Sequence, residues 1–414
     1  MTKLADSIQI RNTQFKNRII KGAMSEALAN DAGQPNQAHL KLYEAWAKGG
    51  LGCAITGNVM VDFRAKNEPG VVVVETERDL AQLQAWAEVG KRHGMVQLVQ
   101  LSHPGRQCPK GLNKETVAPS AVPFSPALAV SFGTPRELGE DEILDIIQRF
   151  ATSAAICEKA GFEGVQLHGA HGYLISQFLS PLTNKRQDQW GGSIENRSRF
   201  LLETYQAVRA ATSENFIISV KLNSADFQRG GISEEDVIYV FKAMDAAGID
   251  MIEVSGGTYE APARAGVKAE KRKASTVARE AYFLDFAEKI RQEVNCHLMV
   301  TGGFRTAAGM NAALESGACE FVGIARPFAV EPDLGDRLVA GEDVRYAVEK
   351  IKTGIPMVDK MAIMEIIWYA AQFKEIAKGN QPNPKLSPLK VFLNYLKGNV
   401  KAVIKGQINS RKSA

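Results

Sequence analysis

At 414 residues, 45% of them apolar, the chain can bury a large core, as one big α/β domain or two smaller ones. No apolar run approaches the ~20 residues a membrane span needs, and the N-terminus Met1-Thr-Lys-Leu-Ala-Asp6 lacks the apolar stretch of a signal peptide. Five widely spaced cysteines without a C-x-x-C argue against a disulfide framework or a metal or iron–sulfur cage, and point to reduced thiols in a cytoplasmic protein. The net charge of +4 divides unevenly. Residues 345–414 hold 13 Lys/Arg against 4 Asp/Glu (+9), which leaves 37 against 42 (−5) for residues 1–344. A near-neutral body with a basic tail is not a nucleic-acid-binding profile for the body itself.

In chain order, the first strand is predicted at Arg18-Ile-Ile-Lys-Gly-Ala23. One joint then recurs: a polar helical pattern ends at Gly, and an apolar strand starts within a few residues. It occurs at Gly49-Gly-Leu-Gly-Cys-Ala-Ile-Thr56, Gly94-Met-Val-Gln-Leu98, Gly161-Phe-Glu-Gly-Val-Gln-Leu167, Gly248-Ile-Asp-Met-Ile-Glu-Val254 and Gly317-Ala-Cys-Glu-Phe-Val-Gly323. Glycine at a helix C-terminus supplies the left-handed residue that returns the chain to the sheet. Strands at Phe216–Val220 and His297–Val300 bring the total to eight. Helices fall between them, with start signals such as Ser233 with Asp236 (a capping box with Asp in place of Glu) and Thr306 before Ala-Ala-Gly-Met-Asn. Eight β/α units over about 320 residues predict a (β/α)8 TIM barrel. A doubly wound sheet is the alternative, disfavoured because no G-x-G-x-x-G follows the first strand.

Three stretches break the rhythm. Residues 102–140, rich in proline, are expected to form a mouth-covering loop or hairpin after strand 3. Residues 256–280, after strand 6, carry Arg264, Lys268, Lys271, Arg272 and Lys273, which suit the 2′-phosphate of a nucleotide or simply a solvated loop. Beyond Pro388 the residues Leu389, Phe392, Leu393, Leu396, Val400, Val403 and Ile404 recur at helical spacing with lysines opposite. The chain is therefore divided into a barrel, 1–344, and a basic helical extension, 345–414, packed on the barrel or on a neighbouring subunit, or laid on an anionic membrane surface.

The most informative segment is Gln166-Leu-His-Gly-Ala-His-Gly-Tyr173, where a buried strand opens into a loop. His168 and His171 can converge on one oxygen, and Tyr173 can stand beside them as a weak acid. Two neutral donors and an acid bind a carbonyl oxygen, take up enolate charge and protonate the adjacent carbon. Such a set implies reductive chemistry on an activated alkene or related electrophile, provided something nearby supplies hydride, and since no side chain donates hydride, a redox cofactor is required. A zinc pair and plain core histidines are the other readings, although no further ligand sits at zinc spacing nearby. Catalytic groups of a barrel lie at strand C-termini. There the sequence places Ala23-Met24-Ser25-Glu26, Thr56-Gly57-Asn58, Gln100, Lys221, Gly302-Gly303 and Gly323-Ile-Ala325-Arg326, the last two groups suiting a phosphate.

Together these strand ends resemble the Old Yellow Enzyme family, FMN-dependent NADH:flavin oxidoreductases and ene-reductases. The resemblance covers about residues 5–340. It rests on Phe15-Lys-Asn-Arg-Ile-Ile, Gln100-x-x-His103-x-Gly-Arg106, His168-x-x-His171-Gly-Tyr173 and Gln177-Phe-Leu-Ser-Pro-Leu-Thr-Asn-Lys-Arg-x-Asp188-x-Trp-Gly-Gly-Ser-x-Glu-Asn-Arg197. It implies FMN, with NADH or NADPH as hydride donor. Ala23 and Met24 would lie beneath the flavin ring, Ser25 beside C4 and N5, Gly57 and Gln100 at the pyrimidine edge, and Lys221 by N1 and O2. Gly303, Ala325 and Arg326 would cradle the phosphate. His168, His171 and Tyr173 would hold and protonate an electron-poor alkene. A flavin or quinone reductase without a specific alkene, and a flavin-free phosphate-binding barrel, are the alternatives. The chain departs from the family at Ala27, where bacterial relatives often have Tyr, and at Ser25, where a subgroup has a redox-sensing Cys. It also lacks the cysteine cluster and C-terminal domain of the iron–sulfur branch, which implies the single-domain branch.

Overall fold

A computed structural model describes residues 2–126, 128–226, 228–256, 283–346, 350–359 and 363–397. The Gly-terminated helices and apolar runs fold into eight parallel strands: β1 (Ile19–Lys21), β2 (Cys53–Ile55), β3 (Val96–Ser102), β4 (Gly164–Gly169), β5 (Ile217–Asn223), β6 (Met251–Ser255), β7 (His297–Thr301) and β8 (Phe321–Ile324). Each pairs with the next, β8 pairs with β1, and the sheet closes on itself as a (β/α)8 barrel. The expected strands are all present.

Alternation along each strand sorts the side chains. Ile20, Cys53, Ile55, Val96, Leu98, Ile217, Met251, Met299 and Phe321 point inward and close the N-terminal half of the barrel. The hairpin Ile8–Ile10/Thr13–Phe15 plugs that end, with Ile10 and Phe15 in the same cluster. The intervening residues, among them Ile218, Val220 and Leu222, face outward and pack under the helices. Left-handed Gly161 and Gly248 end the helices Glu140–Ala160 and Glu234–Ala247 and turn the chain back into β4 and β6.

Three local expectations change. Ser233 does cap its helix by accepting from the Asp236 N–H, but the Asp236 carboxylate bonds Arg197 at 2.7 Å instead of closing the box. A guanidinium is the stronger partner for that carboxylate. The stretch after β3 is no simple hairpin: Val117–Ala118 and Arg136–Glu137 pair in parallel, and a single antiparallel bridge joins Pro109 to Phe132. The segment after β2 adds two short strands, Val59–Met60 and Val72–Val73, the first of which pairs with Leu101 and Ser102 of β3. The quadruple valine 71–74 was the sequence signal for the second of these.

Beyond the barrel, the helix Ile363–Ala377 packs on the helix Gln37–Lys48, with Phe373 edge-on to Trp46 at 5.5 Å. A helix over 388–397 buries Val391, rests Phe392 on the main core, and leaves Leu389, Leu393 and Leu396 exposed. The remaining predicted tail residues, Val400, Val403 and Ile404, and the basic loop Arg264–Lys273 lie outside the described residues. No helix among the described residues is long and apolar enough to cross a membrane.

Candidate active site

Above the apolar floor the inward positions turn polar, and the strand register brings them together. Gln100 on β3 stands opposite Gln166 on β4, His168 opposite Lys221 on β5, Lys221 opposite Glu253 on β6, and Asn223 opposite Ser255. A continuous buried network results. Gln100 Nε2 donates to Gln166 Oε1 (2.8 Å), and Gln166 Nε2 donates to Glu253 Oε2 (2.9 Å). Glu253 Oε1 accepts from Thr301 Oγ1 (2.7 Å) and pairs with Lys221 Nζ (2.8 Å). Sequence reading placed Lys221 here but missed Glu253. An acid inside the apolar run Met251-Ile-Glu-Val254 was the available signal.

The histidine pair lies at the C-terminal end of β4, the rings nearly perpendicular at 5.2 Å between centroids. Tyr173 sits 4.5 Å from the His168 ring. His171 adopts a left-handed backbone (φ 60°), a conformation a non-glycine residue holds only when its surroundings enforce it. Here Asn223 Oδ1 accepts from its N–H (3.3 Å) and Gln107 Nε2 donates to its carbonyl (2.7 Å). The excursion after β3 is thus tied to the mouth of the barrel. Gln177 reinforces the tie by accepting from the Arg106 N–H and donating to the carbonyls of Pro104 and Gly172. His171 Nε2 meets Ser255 Oγ at 2.9 Å. Burial, and then the nearby Lys221 cation, bring His171 down to about 3. Burial, His171 and Lys221 hold His168 well below the usual imidazole range. Both rings are neutral donors or acceptors at working pH. Among the described residues no three His, Cys, Asp or Glu side chains gather as metal ligands.

On the other side of the mouth, Ala23, Met24 and Ser25 follow β1. Ser25 donates to Glu68, a carboxyl that burial pushes up to about 7. A Cβ on Gly57 would lie 2.7 Å from the Met24 carbonyl oxygen, so only glycine permits this approach. The Gly57 N–H donates to Glu26 (3.0 Å), which also accepts from Tyr43 Oη (2.6 Å) and stands 3.6 Å from the fully buried Lys21. Lys21, brought down to about 8 mainly by burial, lies 4.5 Å over the Trp46 ring. Nothing in the sequence reading anticipated the pair of Lys21 and Glu26. At the phosphate corner Gly303 is left-handed (φ 98°), β7 and β8 are paired, and Ala325 precedes the short turn Arg326–Ala329. Arg326 Nη1 pairs with Glu365 of the C-terminal extension at 3.1 Å, a partner the sequence did not reveal.

These residues fit a flavin mononucleotide. Gln100 Oε1 is buried without a hydrogen-bond partner, an acceptor that a pyrimidine N–H satisfies. Gly323 keeps the floor clear, since a Cβ there would fall 2.0 Å from Thr301 Oγ1. Lys221 offers a buried cation in the same layer, and Arg326 with the Gly303 backbone suits one phosphate.

A parallel barrel whose strand ends combine a buried lysine, a paired-histidine mouth and, after β7 and β8, a left-handed glycine and an arginine suits a flavin-binding oxidoreductase. Comparison with known proteins agrees. The model of the NADH:flavin oxidoreductase / NADH oxidase family matches residues 3–344, and the chain belongs to this family, that of the Old Yellow Enzymes. It is 38% identical over 348 residues to the NADH-dependent flavin oxidoreductase iliE of Hypocrea jecorina (strain QM6a), covering 80% of this chain and 86% of that one. It is 32% identical over 348 residues to the NADPH dehydrogenase of Geobacillus sp. (strain WCH70), covering 82% and 96%. In fold it matches the Old Yellow Enzyme homologue of Zymomonas mobilis with a TM-score of 0.71 at 23% identity, covering 88% of this chain and 98% of that one. The protein is an NADH- or NADPH-dependent FMN oxidoreductase.

Proposed function

We propose that the protein is an ene-reductase acting on α,β-unsaturated carbonyls or nitroalkenes. Residues 1–344 act as the flavin-binding unit and residues 345–414 as an accessory extension. The observation that carries this reading is the cluster of His168, His171 and Tyr173 at the end of β4, with both imidazoles neutral beside the Lys221 cation. FMN, when bound, supplies hydride chemistry, taking hydride from NADH or NADPH and passing it to an electron-poor carbon.

The chain's own residues do the rest. His168 and His171 bind the carbonyl or nitro oxygen and orient the alkene, His171 exchanging its contact with Ser255 for one with the ligand. Neutral donors polarise that oxygen as negative charge develops on it, without the cost of burying a further cation. Tyr173 delivers a proton to the α-carbon. Lys221 Nζ, held by Glu253, is the fixed positive charge that favours the reduced state. Gln100 and Gln166 orient the pyrimidine edge.

Separate stopped-flow measurement of the two half-reactions tests the reading. Tyr173→Phe should leave reduction by NAD(P)H unchanged and slow enone reduction by the ~10²–10⁴-fold typical of a general acid. The nitroalkene hydride step, whose product anion is stable, should survive. Equal losses in both half-reactions would leave Tyr173 as a packing residue. Turnover only with quinones or free flavin would favour a flavin or quinone reductase.

A further inference from the structure

We infer that Asn67, together with Asn58, is a positioning residue that prepares the Tyr173 hydroxyl to give up its proton. Asn67 Nδ2 donates to Tyr173 Oη at 3.1 Å and Asn58 Nδ2 at 3.4 Å. The phenol is buried against the His168 ring, and both amides donate to its oxygen there. Asn67 Oδ1 is itself buried without a hydrogen-bond partner. Its amide is committed at the N–H end to the phenol.

Both residues are held in place. Asn58 precedes the short strand Val59–Met60, which is hydrogen-bonded to β3. The backbone before Asn67 is clamped by Asn113 of the excursion, whose side chain accepts from the Lys66 N–H (3.0 Å) and donates to the Lys66 carbonyl (2.7 Å). The segment after β2 and the excursion after β3 therefore meet at the acid.

The chemistry follows from charge. In the proton step the Tyr173 O–H bond breaks, a C–H bond forms at the α-carbon, and the electron pair stays on Oη. Over the full reaction one hydride and one proton saturate the alkene, and water returns the proton to Tyr173. Negative charge thus appears at the atom on which two N–H donors converge, the arrangement that stabilises an oxyanion. Hydrogen bonds to the charged form of an acid make it a stronger acid. Among the described residues, the titratable ring packed on Tyr173 is that of His168, with His171 beside it and the Lys221 cation near both imidazoles. Changing Asn67 alters none of them.

This inference rests on Tyr173 being the acid, and the experiment separates the two. Flavin-loaded wild type, Tyr173→Phe, Asn67→Leu, Asn58→Leu and Asn67→Asp are compared by stopped flow, with cyclohexenone and with a nitroalkene, across pH. Asn67→Leu should keep NAD(P)H reduction and the nitroalkene step. It should slow the enone step about tenfold and move its alkaline limb up by about one pH unit. Asn58→Leu should do the same to a smaller degree. Asn67→Asp, which offers only acceptors, should slow it further. Tyrosine labelled at Cζ gives a readout independent of turnover, since the resonance missing in Tyr173→Phe should titrate at higher pH in Asn67→Leu. If Tyr173→Phe slows the enone step while Asn67→Leu leaves rate and limb in place, the inference falls and the catalytic reading stands. An unaffected Tyr173→Phe removes both. A faster enone step in Asn67→Leu would mean that its carbonyl holds the Tyr173 proton, and equal losses in both half-reactions would make Asn67 structural; either overturns the inference.

Discussion

Replacing Glu253 by Gln tests the central charge pair of the barrel. Lys221 Nζ and Glu253 Oε1 are 2.8 Å apart with side chains 5% and 0% exposed. At an effective dielectric constant near 20 their attraction is about 6 kcal/mol, most of it offset by the desolvation of both ions. Breaking such a pair from one side leaves an uncompensated buried charge, at about 3–5 kcal/mol. Gln also turns an amide toward Gln166 Nε2, Thr301 Oγ1 or Lys221 Nζ, all donors to the present carboxylate. Lys221→Met should cost a similar amount by stranding the carboxylate. Lys221→Met/Glu253→Gln should cost less than the sum, by about 1–3 kcal/mol of coupling. Urea unfolding of flavin-free protein measures this without the added stabilisation of ligand binding. Additive single costs would mean that the two groups do not sense each other, and that the lysine is not held by the acid.

Three further outcomes follow from the geometry. Arg326→Ala should weaken FMN binding about 10–100-fold by loss of a charge-assisted contact, whereas Glu365→Gln, which frees Arg326 from its partner at 3.1 Å, should tighten it; equal weakening in fluorescence titrations would show that Glu365 aims the guanidinium. Because Glu68 is pushed up to about 7 by burial, its protonated form favours the folded state. Its stabilisation is full below the usual carboxylate range and is lost as pH rises through about 7, so Glu68→Gln should flatten that part of the stability profile of flavin-free protein, and an unchanged slope refutes the assignment. Val391→Asp should lower the melting temperature, whereas Leu393→Asp should not, since Val391 is 7% and Leu393 49% exposed; equal effects would mean that the exposed face also packs on protein.

The barrel was legible because its grammar is local. Glycines that stop helices, and apolar runs a few residues later, mark strand starts wherever they occur, and the structure places β2, β3, β4, β6 and β8 after such joints. The histidine cluster was legible for the same reason: three chemically rare residues fall within six positions of one strand end. Partners brought in by topology were not. Glu253 reaches Lys221 across 32 positions and Glu365 reaches Arg326 across 39, while Asn67 and Asn58 lie 106 and 115 residues before Tyr173. Polar residues in loops carry no period, so nothing in one sequence says which oxygen they will find. Asp236 shows the converse. Its local pattern fitted a capping box, and a distant arginine took the carboxylate instead.

The layering of the barrel interior bears on why a hydride-transferring site can be built here. Period-two alternation sends Ile217, Ser219, Lys221 and Asn223 of one strand to the same face, and only the first belongs to the apolar plug. Charge can be placed one layer above because neighbouring strands supply its compensation at matched register, Lys221 facing Glu253 and His168 facing Lys221. With the imidazoles held neutral by burial and by that same lysine, the pair of Lys221 and Glu253 leaves the layer without net charge before reaction. On the proposed mechanism, negative charge arriving during the reaction would meet an ammonium, two ring N–H groups and, at the phenol, two amides, none of which must be recruited from water. The positions that make room for this arrangement are the ones without side chains, Gly57 and Gly323, where a single methyl would displace the Met24 backbone or Thr301.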